Sequence, residues 1–366
     1  MPPLLRTDAD LRAALPALWA APALALDTEF HPEKAYFPKL MLVQLGPVGG
    51  EPIIVDPLGS VNLRLLGEVL SKKRLLVHGG AQDLLLIQRE LGAVPTEVFD
   101  TQLAAGFAGL GYPRRLQDLL VALGGPELEK GETLSDWSRR PLSADQLGYA
   151  VDDIRVLPGL VETLEARLER FGNWEIFAAA QAEVLTMSIA PPDDDIVWRR
   201  VPGAHLLSPP ERAALRELAG WREARARGLD TAPGHLVSDA VLLDLVRRRP
   251  TTVERLRENR RMPSQVWRQY GEEVLAVLQG SSETIPPPPL ARGPRVDALR
   301  LAARLVAESR GIAGDLLLTE SELNYILEEK LSENWRRRAL GPEFQDLLEE
   351  RLLMTASGRL IRAQLR

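Results

Sequence analysis

Residues 23–30 read ALALDTEF, four small or apolar residues followed by two carboxylates that flank a threonine. Side chains alternate along a strand, so Asp27 and Glu29 fall on one face at its C-terminal end, where α/β sheets place their chemistry. Two carboxylates behind an apolar run repel each other and lose hydration, and a hard divalent cation is the usual compensation where only oxygen ligands are on offer. An edge strand ending in solvated acids would carry the same pair, so the pair alone decides nothing.

The flanking sequence supplies the rest of a sheet. LMLVQLG (40–46) and EPIIVDP (51–57) are two more short apolar runs between Pro/Gly turns, and VNLRLLGEVLSKK (61–73) has near-helical spacing. RLLVHGG (74–80) predicts a fourth strand stopped by Gly79–Gly80, and a short apolar piece at 94–100 predicts a fifth. From 81 to 187 the pattern is otherwise helical, so the first half reads as α/β with its covering helices late. Asp83 follows the Gly-Gly turn in the first turn of a helix, where a carboxylate is favoured. Tyr149 and Asp153 lie i,i+4, putting a phenol and a carboxylate on one helix face.

Length, 366 residues, suits two or three domains, and zero cysteines exclude disulfides, thiolate metal sites and a cysteine nucleophile. No run approaches a membrane span, and the N-terminal Ala/Leu-rich stretch is cut by Asp8, Asp10 and prolines, so a cytoplasmic protein with no membrane partner is expected. Charge is uneven: −9 over residues 1–200, +4 over 201–300 and −1 over 301–366. Residues 188–204 read as a linker, 205–280 as a helical bundle, and the proline-rich 280–294 as a second spacer. The expected organisation is an α/β domain over 1–190, a helical domain over 205–282 and another over 293–360.

The order D-T-E-F, then H-x3-Q-D, then Y-x3-D resembles the DEDD 3′→5′ exonucleases of the tyrosine subtype, built on a ribonuclease-H-like sheet. More narrowly, Lys130, then Asp136, Trp137, Ser138, Arg140, Pro141 and Leu142 ahead of Tyr149 and Asp153, is similar to the ribonuclease D family. Val237, Ser238, Asp239, Leu242, Leu245, Pro250, Glu254 and Leu256 resemble the HRDC module, a helical nucleic-acid-binding domain of the same family. Residues 293–360 resemble a weaker second copy, in which Glu320, Glu322, Glu328 and Glu329 oppose phosphate binding.

The resemblance implies a metal-dependent exoribonuclease that trims RNA 3′ ends, tRNA precursors among them, to nucleoside 5′-monophosphates. It implies two divalent ions, Mg²⁺ or Mn²⁺, the first held by Asp27, Glu29 and Asp153, the second by Asp27 and Asp83, with Tyr149 orienting or deprotonating the attacking water. Lys130, Arg140, Gln44, Phe30 and His78 are substrate-binding candidates, each with a packing or surface role as its rival. Arg247, Arg248, Arg249, Arg257, Arg260 and Arg261 would grip RNA phosphates; a solvated basic face is the alternative. A DNA 3′→5′ exonuclease would use the same carboxylates, and a non-catalytic RNA-binding scaffold would not need them. Since every expected ligand precedes residue 154, removal of 205–366 is expected to leave cleavage of a short oligonucleotide intact.

Overall fold

The sheet is built around the acid-bearing strand. In the computed structural model, residues 2–31, 35–127, 135–189, 196–280, 284–285, 294–317, 335–348, 352–354 and 360–362 are described. Its strands are β1 (Leu4–Thr7), β2 (Ala23–His31), β3 (Lys39–Pro47), β4 (Ile53–Ser60), β5 (Arg74–Val77) and β6 (Val98–Asp100). They order as β1-β4-β3-β2-β5-β6, with β3 antiparallel to β4 and the pairs β1/β4, β2/β5 and β5/β6 parallel. The acid strand is therefore central, and all five expected strands are present.

β1 and the helix α1 (Asp8–Ala20) are additions to the sequence expectation. A capping box starts α1: Thr7 Oγ1 accepts from Asp10 N and Asp10 Oδ2 accepts from Thr7 N. An Ala-rich helix with Pro16 inside it carries little helical signature, which is why it was hidden.

Alternation along β2 sends its side chains into two cores. Leu24 and Leu26 join Val43, Leu45, Leu75 and Leu84 on the side of α3 (Ala81–Leu91). Ala23 and Ala25 join Ile154, Leu157, Leu160 and Leu164 on the side of α6 (Ala144–Arg155) and α7 (Leu157–Phe171). Between α3 and α6 run α4 (Thr101–Phe107) and α5 (Leu116–Ala122), with α2 (Gly67–Lys72) before β5 and α8 (Trp174–Ile189) after α7.

The chain divides into two units: residues 1–30, 40–190 and 291–366 form one, and residues 31–39 and 191–290 the other. In the second unit α9 (Pro209–Gly228), α11 (Asp239–Arg248) and α13 (Ser264–Gly280) surround a core of Leu215, Leu218, Leu242, Leu245, Val266 and Val274. The short helices α10 (Pro233–Leu236) and α12 (Val253–Arg257) close it.

Three boundaries differ from the sequence expectation. The 188–204 stretch is a linker only in part: Val197, Trp198, Val201 and Ala204 are buried in the helical unit's core, held by two 3-10 turns. Residues 35–39 also join that unit, since Tyr36 Oη donates to Glu223 Oε1 (2.6 Å) and Phe37 N to Asp230 Oδ1 (3.1 Å). The helices α14 (Pro294–Arg310), α15 (Gly314–Leu317) and Trp335–Leu348, expected as a module of their own, share one apolar core with α4, α7 and α8. Asn173 Nδ2 bridges the Phe107 and Arg310 carbonyls at 2.8 Å each, and the Trp335 and Phe107 rings meet edge-on at 5.3 Å. Two short strands, Leu352–Met354 and Leu360–Arg362, pair at the C-terminal end of the stretch expected as a helical domain over 293–360.

Candidate active site

Asp27 and Glu29 leave β2 on the face that α6 covers. A capping box fixes the start of α6, Ser143 Oγ accepting from Gln146 N (3.0 Å) and Gln146 Oε1 from Ser143 N (3.0 Å). Three turns later Ile154 packs over Ala25 in the core, which delivers Asp153 to the strand end. Asp27, Glu29 and Asp153 each offer a carboxylate oxygen within 4.8 Å of the others, a hard all-oxygen donor set fit for a divalent cation. The Tyr149 hydroxyl hydrogen-bonds the Asp153 carboxylate.

Asp83 approaches from the opposite face and stands outside that trio. Gly79 has φ +65°, and a Cβ on Gly80 would lie 2.6 Å from Val77, so the turn needs both glycines. Asp100 clamps it, its carboxylate accepting from Gly79 N (2.8 Å) and Gly80 N (3.1 Å). The helix that follows then presents Asp83 to Thr28, whose hydroxyl donates to the Asp83 carboxylate.

Burial pushes all four carboxyls up. Glu29 reaches about 8, with Asp153 and Asp83 adding repulsion. Asp83 reaches about 6 despite the Thr28 hydrogen bond, and Asp153 about 6 despite Tyr149. Asp27 is raised well above the usual range by burial and by the charges of Asp83, Asp153 and Glu29. Such crowding is costly without a cation.

The substrate candidates fare differently. Arg140 is not free for a phosphate, because all five of its N–H groups are taken within the fold. Nε and Nη2 fork onto Asp56 (2.8 and 2.7 Å), Nη2 also reaches Met41 O (2.8 Å), and Nη1 reaches Trp137 O (2.8 Å) and Arg139 O (2.7 Å). His78 is likewise committed, Nε2 to Arg114 O and Nδ1 beside Thr101 Oγ1, both at 2.9 Å, and burial depresses it despite Asp100. Gln44 is wholly buried, so it meets no nucleotide. Val48 N donates to Ala23 O, and a Cβ on Gly46 would sit 3.3 Å from that of Ala25, which puts Gln44 across from Asp27. Its amide finds no partner among the described residues. Phe30 is half-buried against the α3-side core. Lys130 lies outside the described residues.

Comparison with known proteins fits this geometry. The family model described as 3′-5′ exonuclease matches residues 4–169, and the HRDC domain model matches 211–278. Ribonuclease D of Xanthomonas oryzae pv. oryzae is 32% identical, with 93% of this chain and 95% of that protein covered. The chain belongs to the ribonuclease D family. A further ribonuclease D, from Nitrobacter hamburgensis, is 29% identical over 99% of both chains. The crystal structure of Escherichia coli RNase D, described as an exoribonuclease involved in structured RNA processing, superposes with a TM-score of 0.81 at 26% identity, covering 96% of this chain and 99% of that one. Ribonuclease D membership makes the chain a 3′→5′ exoribonuclease, and its exonuclease module is of a metal-dependent class.

The HRDC arginines of this ribonuclease D relative divide into two groups. Arg248 is paired with Asp244 (2.7 Å), Arg249 donates to Pro210 O (2.9 Å), and Arg247 lies within the field of Glu211. Arg260 and Arg261 are exposed, and Arg257 stacks over Trp267 at 4.9 Å. Sequence reasoning missed Trp267, which Arg268 also covers at 5.1 Å. Its only signal was an aromatic placed among arginines.

The raised carboxyls set a pH dependence. In chelator, the folded chain keeps protons that the unfolded chain has released between about pH 4.5 and 8, so it binds more protons than the unfolded state there. Its stability therefore falls as pH rises through that window. Thermal melts in chelator are expected to show Tm falling from pH 5 to 8.5, and added Mg²⁺ or Mn²⁺ should raise Tm more at pH 8 than at pH 6, since ligands must ionise to bind. A Tm independent of pH and metal would dissolve the acid centre. Among the described residues no helix is long and apolar enough to cross a membrane.

Proposed function

We propose that the chain trims RNA from its 3′ end, tRNA precursors or other structured RNA in the cytoplasm, releasing nucleoside 5′-monophosphates at a centre of Asp27, Glu29, Asp83, Asp153 and Tyr149. The observation that carries this is the meeting of three carboxylates from β2 and α6 within 4.8 Å, with a phenol on one of them. Asp27, Glu29 and Asp153 would hold one Mg²⁺ or Mn²⁺, and Asp27 with Asp83 a second. When bound, such ions neutralise charge on the scissile phosphate and acidify the attacking water. Tyr149, its hydroxyl on Asp153, would orient or deprotonate that water. The Thr28 hydroxyl keeps the Asp83 carboxylate turned toward β2.

Matched RNA and DNA oligonucleotides carrying a 5′ label test the reading. RNA should shorten stepwise from its 3′ end with mononucleotide product, only with divalent metal present, and a 3′-phosphate or DNA end should slow it. Faster cleavage of DNA would favour the DNA exonuclease, and an inert protein the scaffold.

The HRDC unit would add grip. Reversing Arg257, Arg260 and Arg261 together to Glu should flatten log K against log [salt] for a long RNA, by about 0.7 to 0.9 per lost phosphate contact. Filter binding across a salt series reads this directly, and equal slopes would make the basic face a mere solvated surface.

A further inference from the structure

We propose that the Asp136–Leu142 loop is an internal staple that aims Tyr149, with Trp137 and Arg140 as positioning residues. The inference rests on the reading of Tyr149 as the group that handles the attacking water.

The loop belongs to no helix or strand, so no ladder fixes it. Arg140 does so instead. Two of its N–H groups tie the loop's own Trp137 and Arg139 carbonyls, one ties Met41 O on β3, and two fork onto Asp56 on β4. Asp56 is wholly buried, and its Oδ1 also accepts from Leu58 N (3.0 Å) while Arg6 approaches Oδ2 (3.2 Å). Burial pushes the Asp56 carboxyl up, but the bonds from Arg140 and Leu58 and the two cationic charges outweigh it and hold it below the ordinary range. An ionised, multiply bonded pair of this kind is rigid and directional.

The loop carries one large side chain inward. Trp137 is 3% exposed and packs with Met41, Ile54, Leu142, Leu147 and Val151, the last two on α6. Its ring lies 6.2 Å from that of Tyr149 at 41°. Tyr149 is only partly buried, and the indole walls it on one side, which restricts the rotamers in which its hydroxyl leaves Asp153. The Trp137 Nε1–H is buried and has no acceptor among the described residues.

The test uses the full-length protein, a short RNA oligonucleotide and saturating Mn²⁺. Trp137→Leu should lower kcat about 10-fold with KM within about twofold, and Trp137→Phe, which restores an aromatic wall, should recover most of the rate. In a Tyr149→Phe background Trp137→Leu should cost less than about twofold, because the group it aims is gone. Should Trp137→Leu fail to fold, Arg140→Lys, which keeps a charge on Asp56 but loses the fork, goes through the same cycle with the same expectation. Fully additive losses, or a KM rise at unchanged kcat, would overturn the staple while Tyr149 keeps its role. A wild-type rate for Tyr149→Phe alone would overturn both.

Discussion

Asp27→Asn is expected to lower turnover by on the order of 10³ while RNA affinity stays within a few-fold, and Asp153→Asn to do the same. Each change keeps the shape of the side chain and removes one carboxylate from a cluster in which Asp83 and Asp153 hold the Asp27 and Glu29 carboxyls up. The lost charge is one that would hold a cation, not one that touches RNA, so kcat and binding should separate. The same substitutions should raise the melting temperature in chelator at pH 8, because a repelling charge has been taken from a buried site. Single-turnover cleavage, filter binding and a thermal melt on one preparation check all three. A wild-type-like rate for either variant would falsify the carboxylate centre.

Truncation after residue 290 is expected to destroy the exonuclease unit, which reverses the sequence-based expectation that residues 205–366 are dispensable for cleavage. Leu299, Ile312, Leu316, Leu317, Trp335 and Phe344 are all at most 5% exposed and share a core with Phe107, Leu164 and Phe177. Trimming one large core side chain to Ala costs about 3–5 kcal/mol, and a domain's whole stability is about 5–15 kcal/mol. Deleting several at once leaves no margin. Residues 1–290 should keep only the melting transition of the helical unit, lose that of the exonuclease unit and show no metal-dependent cleavage, whereas Phe344→Ala in the full chain should fold with a lowered Tm. An active 1–290 fragment that keeps the exonuclease unit's transition would mean that the shared core adds little.

The placement of Asp27, Glu29 and Asp153 was legible, because strand alternation and a helix face are local properties of the chain. The roles proposed for them, for Asp83 and for Tyr149 rest on the joint order of the motifs and its family resemblance. Arg140 was not legible as a staple, because its partners Asp56 and Met41 lie some 84 and 99 residues away and an arginine in a motif reads equally well as a phosphate contact. Gln44 looked like a possible nucleotide contact for a similar reason: the strand pattern gives its face but not the depth at which β3 lies. The amphipathic pattern of 294–348 announces a buried face without naming what covers it, so a separate module and an added layer on the first unit read alike. The helix α1 gave almost no periodic signal, and only the capping box at Thr7 betrays its start.

The interrupted first unit also has a consequence in time. A ribosome that has released Asp153 must still make roughly 190 residues, at about 5–20 residues per second, before Phe344 emerges to close the core against Phe107 and Phe177. For tens of seconds the nascent chain holds every acid of the proposed centre but not the finished domain, while the intervening helical unit, continuous from 191 to 290 apart from residues 31–39, is already made. The core that carries the acid strand is therefore completed only after the helical unit between its two parts has been made.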